Sequence, residues 1–178
     1  LLGTDDQGRD VLARLIYGFR ISVIFGLVLT FFSLIAGIFL GAIQGYFAGV
    51  VDLVLQRFTE VWSSMPVLFL LIILASVIEP NFWMLLIIML LFSWMGLASL
   101  VRAEFLRTRN FEYVMAARAL GASRWRVIFR HILPNSLAST FASLPFMLSG
   151  SIVVLTSLDF LGFGMPVSSP SLGELLAQ

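Results

Sequence analysis

From Ile21 to Val51 the chain runs 31 residues without a charge, and from Ile132 to Leu158 another 27. A helix rising about 1.5 Å per residue needs roughly 20 apolar residues to cross the hydrocarbon of a bilayer, so each run predicts a membrane span. Phe82 to Val101 predicts a third, with Trp83 near one end as an interfacial anchor. A further span follows Asp52 and continues to Ile78, with Arg57 and Glu60 near its start and Pro66 downstream. Pro66 removes a helical donor, so it should kink this helix or open its fully apolar part. Glu79, Pro80 and Asn81 predict a tight turn before the next span. The expected fold class is all-α, a polytopic transmembrane helical bundle.

Within the spans, small and polar residues fall in patterns. Gly37, Gly41, Gly45 and Gly49 recur every four residues and so lie along one ridge. Small residues at this spacing let a neighbouring helix backbone come close, which predicts a packing face rather than a ligand site. Arg57 and Glu60 are three apart, share a helix face, and are expected to form an intramembrane ion pair near the end of their span. The last span is rich in hydroxyls: Ser136, Ser139, Thr140, Ser143, Ser149, Ser151, Thr156 and Ser157. These suit either polar contacts between helices or the lining of a water-filled path. Pro145 and Gly150 weaken that helix midway.

Composition agrees with a membrane protein. Hydrophobic residues make up 60%, charged residues only 12%, and the mean hydropathy is +1.02. Cysteine is absent, which excludes disulfides and thiolate metal sites in this sequence. All eleven basic residues are arginine, so these residues contain no phosphate-binding loop ending in Gly-Lys-Ser/Thr, and nucleotide hydrolysis would fall to a partner. One histidine, His131, gives neither a metal cluster nor a catalytic triad, so no metal, cofactor or enzymatic activity is expected. Basic residues without a stacking platform of aromatics argue against nucleic acid.

The arginines are concentrated. Arg102, Arg107, Arg109, Arg118, Arg124, Arg126 and Arg130 stand between residues 102 and 134 against Glu104 and Glu112 only, a local balance of 7 − 2 = +5. A basic loop between two spans is retained in the cytoplasm, where its arginines also meet anionic lipid. Residues 111–120 favour a helix, and Gly121 is placed to end it. Ser123 can cap a second short helix, 124–133, before Pro134 opens the next segment.

At these residues the chain resembles a family, the permease subunits of binding-protein-dependent ABC importers. Their cytoplasmic loop reads E-A-A-x-x-x-G, nine residues, then I-x-L-P; Ala116, Ala117, Gly121, Leu133 and Pro134 occupy matching places, while Met115 replaces the usual Glu and His131 the usual Ile. The resemblance implies that this loop docks on a separate ATPase subunit, with Arg118 and Arg124 as electrostatic contacts. The amino-terminal residues Leu2, Gly3, Thr4, Asp5, Gly8, Arg9, Asp10, Val11 and Leu12 match a signature of the peptide and nickel branch. Phe160, Leu161, Gly162, Gly164, Pro170, Ser171 and Gly173 match a segment that follows the fifth span in that branch, with Leu172 in place of a Trp. The runs VRAEFLRTRNF and LTSLDFLGFG look most like the microcin C and oligopeptide permeases.

The expected organisation is an external interfacial segment at 1–20, with Thr4 or Asp5 capping a short helix from Gln7. A transmembrane core at 21–158 holds the cytoplasmic coupling loop 102–134, and an external Gly/Pro-rich segment occupies 159–178. The signature residues of 1–20 suit either interfacial anchoring or a gating or partner role. With the loop inside, the charges are 0 at the amino end, −1 at Glu79 and −2 in the tail outside, against −1 and +5 inside, which returns the net +1. The sequence starts without Met and stops at Gln178, and the resemblance implies one more span on either side, so the chain is expected to be a piece of a longer subunit. The function expected is a multi-pass bacterial inner-membrane permease for peptides or peptide-like solutes. Its implied partners are ABC ATPase subunits, a sister permease in a heterodimer, and an external solute-binding protein. Two other classes remain: an ion-coupled secondary transporter, resting on Arg57 and Glu60, and a purely structural membrane subunit.

Overall fold

The computed structural model describes residues 3, 8–78, 80–164 and 169–177. Leu2, Thr4 and Asp5 of the amino-terminal signature, Gln7, and Glu79 of the predicted turn lie outside them. The described residues form α1 (Val11–Phe47), α2 (Gly49–Ser63), α3 (Val67–Ala75), α4 (Phe82–Thr108), α5 (Glu112–Ala119), α6 (Arg124–Arg126), a π-helical turn (Val127–Ile132), α7 (Leu133–Phe160) and α8 (Leu172–Ala177). Among the described residues three helices are long and apolar enough to cross a membrane, or four if α2 and α3 count as one broken span. The all-α class and the expected spans are found.

Several boundaries differ from expectation for identifiable reasons. Helix α1 begins at Val11, where Asp10 Oδ1 accepts from the backbone N–H of Leu12 (2.9 Å) and Ala13 (3.3 Å) and so caps the first turn. It passes residue 20 without a break and ends at Phe47, four residues short of the charge-free run. Ala48 and Gly49 there have φ of 51° and 55°. For alanine this backbone costs about 1–3 kcal/mol, so the joint between α1 and α2 is strained. Pro66 divides α2 from α3, where its missing N–H breaks the helical hydrogen bonding. Asn81 Oδ1 accepts from the N–H of Met84 at 3.0 Å and starts α4, which continues past Val101 to Thr108.

Pro134 does not open a separate segment. The turn before it is widened, with the N–H of Leu133 reaching back five residues to the carbonyl of Ile128. Proline lacks an N–H and its ring clashes with the carbonyl four residues earlier, and the wider turn accommodates both within a continuing helix. Nor does Pro145 interrupt α7. The hydroxyls of Ser136, Ser139, Thr140, Ser143, Ser151, Thr156 and Ser157 donate to carbonyls three or four residues earlier in their own helix. Each of these hydroxyls thus spends its donor within its own helix.

The chain divides into two compact units. The first comprises Leu1–Thr30, Pro66–Leu91 and Phe146–Gln178. Its core is Phe25, Leu29, Leu71, Leu85, Leu86, Ile88, Leu155 and Leu158, with Phe25 edge-on to Phe82 at 5.5 Å. Helix α7 ends at Gly162, whose φ of 79° allows its N–H to reach the carbonyl of Asp159 while Phe163 N–H reaches Leu158, closing the last turn. Beyond it, α8 folds back on α1. Glu174 accepts from the buried Arg14 and, at 3.5 Å, from Arg9. Gly18 lets the backbone of Ser171 and Leu172 come within 3.0 Å of where a Cβ would stand. A Cβ on Gly173 would strike Asp159 and the Thr156 carbonyl, and one on Gly164 would also strike Asp159.

The second unit comprises Phe31–Met65 and Phe92–Pro145. Here the first three glycines of the ridge admit α4: a Cβ on Gly37 would lie 2.8 Å from Leu97 Cβ, one on Gly41 2.5 Å from the Ala98 carbonyl, and one on Gly45 against Phe105. Ser33 and Ser93 share a hydrogen bond beside this seam. Gly49 corrects the expected four-member ridge. It lies beyond the end of α1, has nothing within 4 Å of a Cβ, and serves the backbone joint.

Candidate docking surface on the arginine-rich hairpin

The segment after α4 folds from local signals. Helix α5 carries Glu112 in its first turn and Arg118 in its last, as the helix dipole favours. It ends at Gly121, φ 79°, whose N–H bonds to the Arg118 carbonyl while that of Ala122 bonds to Ala117, both at 3.0 Å. Ser123 Oγ then accepts from Arg126 N–H at 3.4 Å and starts α6. Val114, Val127 and Ile132 are fully buried and anchor the hairpin. Tyr113 adds a polar clasp: its hydroxyl donates to the His131 carbonyl (3.3 Å) and accepts from Asn135 Nδ2 (2.7 Å).

The outer face is apolar and positive. Leu120, at the bend, is 87% exposed, and Trp125 is 70% exposed and stacked on Phe129 at 5.8 Å. Arg124, Arg126 and Arg130 are exposed around them, and none pairs with an acid among the described residues. Such a surface, with aromatic and aliphatic anchors interleaved with arginines, has the chemistry of a protein interface. Of the residues singled out by sequence, Ala116, Gly121, Arg124 and Pro134 are exposed, while Ala117 and Leu133 are half-buried. Arg118 turns onto the ring of Tyr46, 5.3 Å from its centroid.

Arg57 and Glu60 meet at 2.7 Å on α2, with side chains 80% and 48% exposed. A more enclosed pair escaped the sequence reading: Arg102 donates to both carboxylate oxygens of Asp52, from Nε at 2.5 Å and Nη2 at 2.7 Å. Arg109 likewise reaches the end of α1, donating to the carbonyls of Tyr46 (3.1 Å) and Gly45 (3.4 Å). These partners lie 50 to 64 positions apart, beyond any local pattern.

The chain belongs to the family of binding-protein-dependent transport system inner membrane components, whose model matches residues 34–178. It is 66% identical over 177 residues to the peptidoglycan transport system permease protein YejE of Agrobacterium fabrum, covering 99% of this chain and 46% of the relative. It is 63% identical to the inner membrane ABC transporter permease protein YejE of Escherichia coli, covering 99% of this chain and 52% of that protein. The oligopeptide transport system permease protein OppC of Lactococcus lactis subsp. cremoris is 37% identical over the whole chain and 61% of its own length. The chain thus spans about half the length of the first two. It is an inner-membrane, multi-pass protein.

Proposed function

We propose that the chain forms the translocating core of a permease subunit in an ATP-driven importer of peptides or peptide-like solutes. Two of the relatives named above are a peptidoglycan and an oligopeptide transport permease, which supports that substrate class. In this reading residues 102–134 face the cytoplasm and seat on a separate ABC ATPase, which hydrolyses the nucleotide. A sister permease completes the pathway as a heterodimer, and a binding protein delivers solute from outside. Closure of the ATPase pair would push α5 and α6 as one piece and tilt the spans between inward-open and outward-open states.

The observation that carries the reading is the exposed hairpin itself. The short helix α5 and the start of the long helix that runs on through α7 meet at Gly121, held from below by Val114, Val127 and the Tyr113–Asn135 clasp, and leave Leu120, Trp125 and three arginines exposed. Ala116, Ala117, Arg118, Gly121, Arg124, Leu133 and Pro134 are the proposed coupling residues. Affinity purification of the full-length subunit from membranes tests it. An ATPase should co-purify and be lost from a Leu120→Asp/Trp125→Asp variant that still inserts; retention by that variant would move the docking surface elsewhere.

A further inference from the structure

The joint between α1 and α2 is the most strained backbone described, and the arginine-rich segment holds it from three directions. Ala48 has φ 51° and ψ −160°, followed by Gly49 at φ 55°. On the α1 side, Arg109 donates to the carbonyls of Gly45 and Tyr46, two groups that the end of a helix leaves without intrahelical partners. Arg118, on α5, covers the Tyr46 ring at 5.3 Å. On the α2 side, Asp52 sits one turn past the joint and is held by both donors of Arg102. Gly41 and Gly45 bring the α1 and α4 backbones close enough to leave no slack along this seam. The only side chain of α5 that reaches this joint in the contacts above is Arg118, and what it touches is an aromatic face.

From this arrangement we infer that Tyr46 and Arg109 are positioning residues for coupling: movement of α5 is handed through Arg118 to Tyr46, and through the Ala48–Gly49 joint to α2. The inference rests on the proposed docking of α5 by an ATPase. A guanidinium over a ring tolerates small sliding but resists separation, so it passes a push or pull while its register adjusts. The Arg109 bonds keep the last turn of α1 from unwinding under that load, which directs the change in backbone angles to the residues already outside helical geometry. A two-state joint biased by one remote contact is the physical form that coupling between distant elements takes.

These 178 residues contain no cysteine, so two can be introduced here for spin labels once any cysteine elsewhere in the subunit or the ATPase is replaced by serine. Val61→Cys on α2 and Ser99→Cys on α4 are both exposed positions. The full-length subunit, assembled with its ATPase in nanodiscs of phosphatidylethanolamine and phosphatidylglycerol, is measured without nucleotide and after trapping with ATP and vanadate. The label separation should shift on trapping, survive in Tyr46→Phe, which keeps the ring, and be lost in Tyr46→Leu while ATP hydrolysis continues. If Tyr46→Leu does not assemble, Arg109→Gln takes its place, with the same expected loss. A shift that persists in the assembled variant overturns the inference, as does its absence from the parent complex. Failure of any ATPase to assemble with the parent is a different result and overturns the docking proposal instead.

Discussion

Asp52 and Arg102, 50 residues apart in sequence, face each other as a doubly bonded ion pair at 2.5 and 2.7 Å. Asp52 is 9% exposed, so its carboxylate depends on that partner. Removing one member of a buried pair leaves the other charge uncompensated, at a cost on the order of 3 kcal/mol. Arg102→Met should therefore lower the melting temperature in detergent clearly, and Asp52→Asn/Arg102→Met together should lower it less than Arg102→Met alone. Equal melting for all three would show that the pair is dispensable.

Gly45 and Gly49 make a paired test of the ridge. Alanine at 45 places a methyl against Phe105 Cβ and 2.7 Å from the Arg102 carbonyl, and overpacking of this kind costs about 1–3 kcal/mol. Alanine at 49 meets nothing, and its penalty is only the positive φ, about 1–2 kcal/mol. A disulfide-scanning assay between α1 and α4 should report displaced helices for Gly45→Ala and the native spacing for Gly49→Ala, even where their thermal stabilities are similar.

Glu174 joins α8 to Arg9 and Arg14. With Glu174→Gln the ion pairs that tie α8 to Arg9 and Arg14 are lost, and α8 should detach more often than it does now. Hydrogen exchange in residues 171–176 should speed up while exchange in α4 stays the same. Unchanged protection of α8 would mean that the backbone contacts at Gly18 and Gly173 suffice.

Gly121 sits at φ 79° between α5 and α6. Proline fixes φ near −65°, so Gly121→Pro breaks the bend, at a cost on the order of 3 kcal/mol confined to the hairpin. Membrane insertion should be retained while ATP hydrolysis by the assembled complex no longer drives uptake of a labelled tripeptide. Normal uptake by this variant would contradict the coupling role of the hairpin.

The spans and the bent hairpin were legible because each rests on a local rule. Charge-free runs set the helices, Gly121 and Ser123 carry the bend in their own backbone and side chain, and Pro66 announces its break. Where a local rule met a longer-range fact, the sequence misled. Pro134 reads as a helix start, yet the π-helical turn before it absorbs the proline. Asp10 caps α1 through the N–H groups of Leu12 and Ala13, while Thr4 and Asp5 lie outside the described residues. The pairs Asp52–Arg102, Arg14–Glu174 and Arg118–Tyr46 have no periodic signature, since they join segments that become neighbours only after the chain has folded.

The central claim is that the arginine hairpin lies in the cytoplasm, within reach of an ATPase. A cysteine at the bend, Ser123→Cys, can be probed with a membrane-impermeant maleimide, with the subunit carrying serine at 123 as the control for any thiol outside these cysteine-free 178 residues. Protection in intact spheroplasts and labelling only after the membrane is opened is the predicted result. Labelling from outside in sealed spheroplasts would invert the orientation and contradict the account.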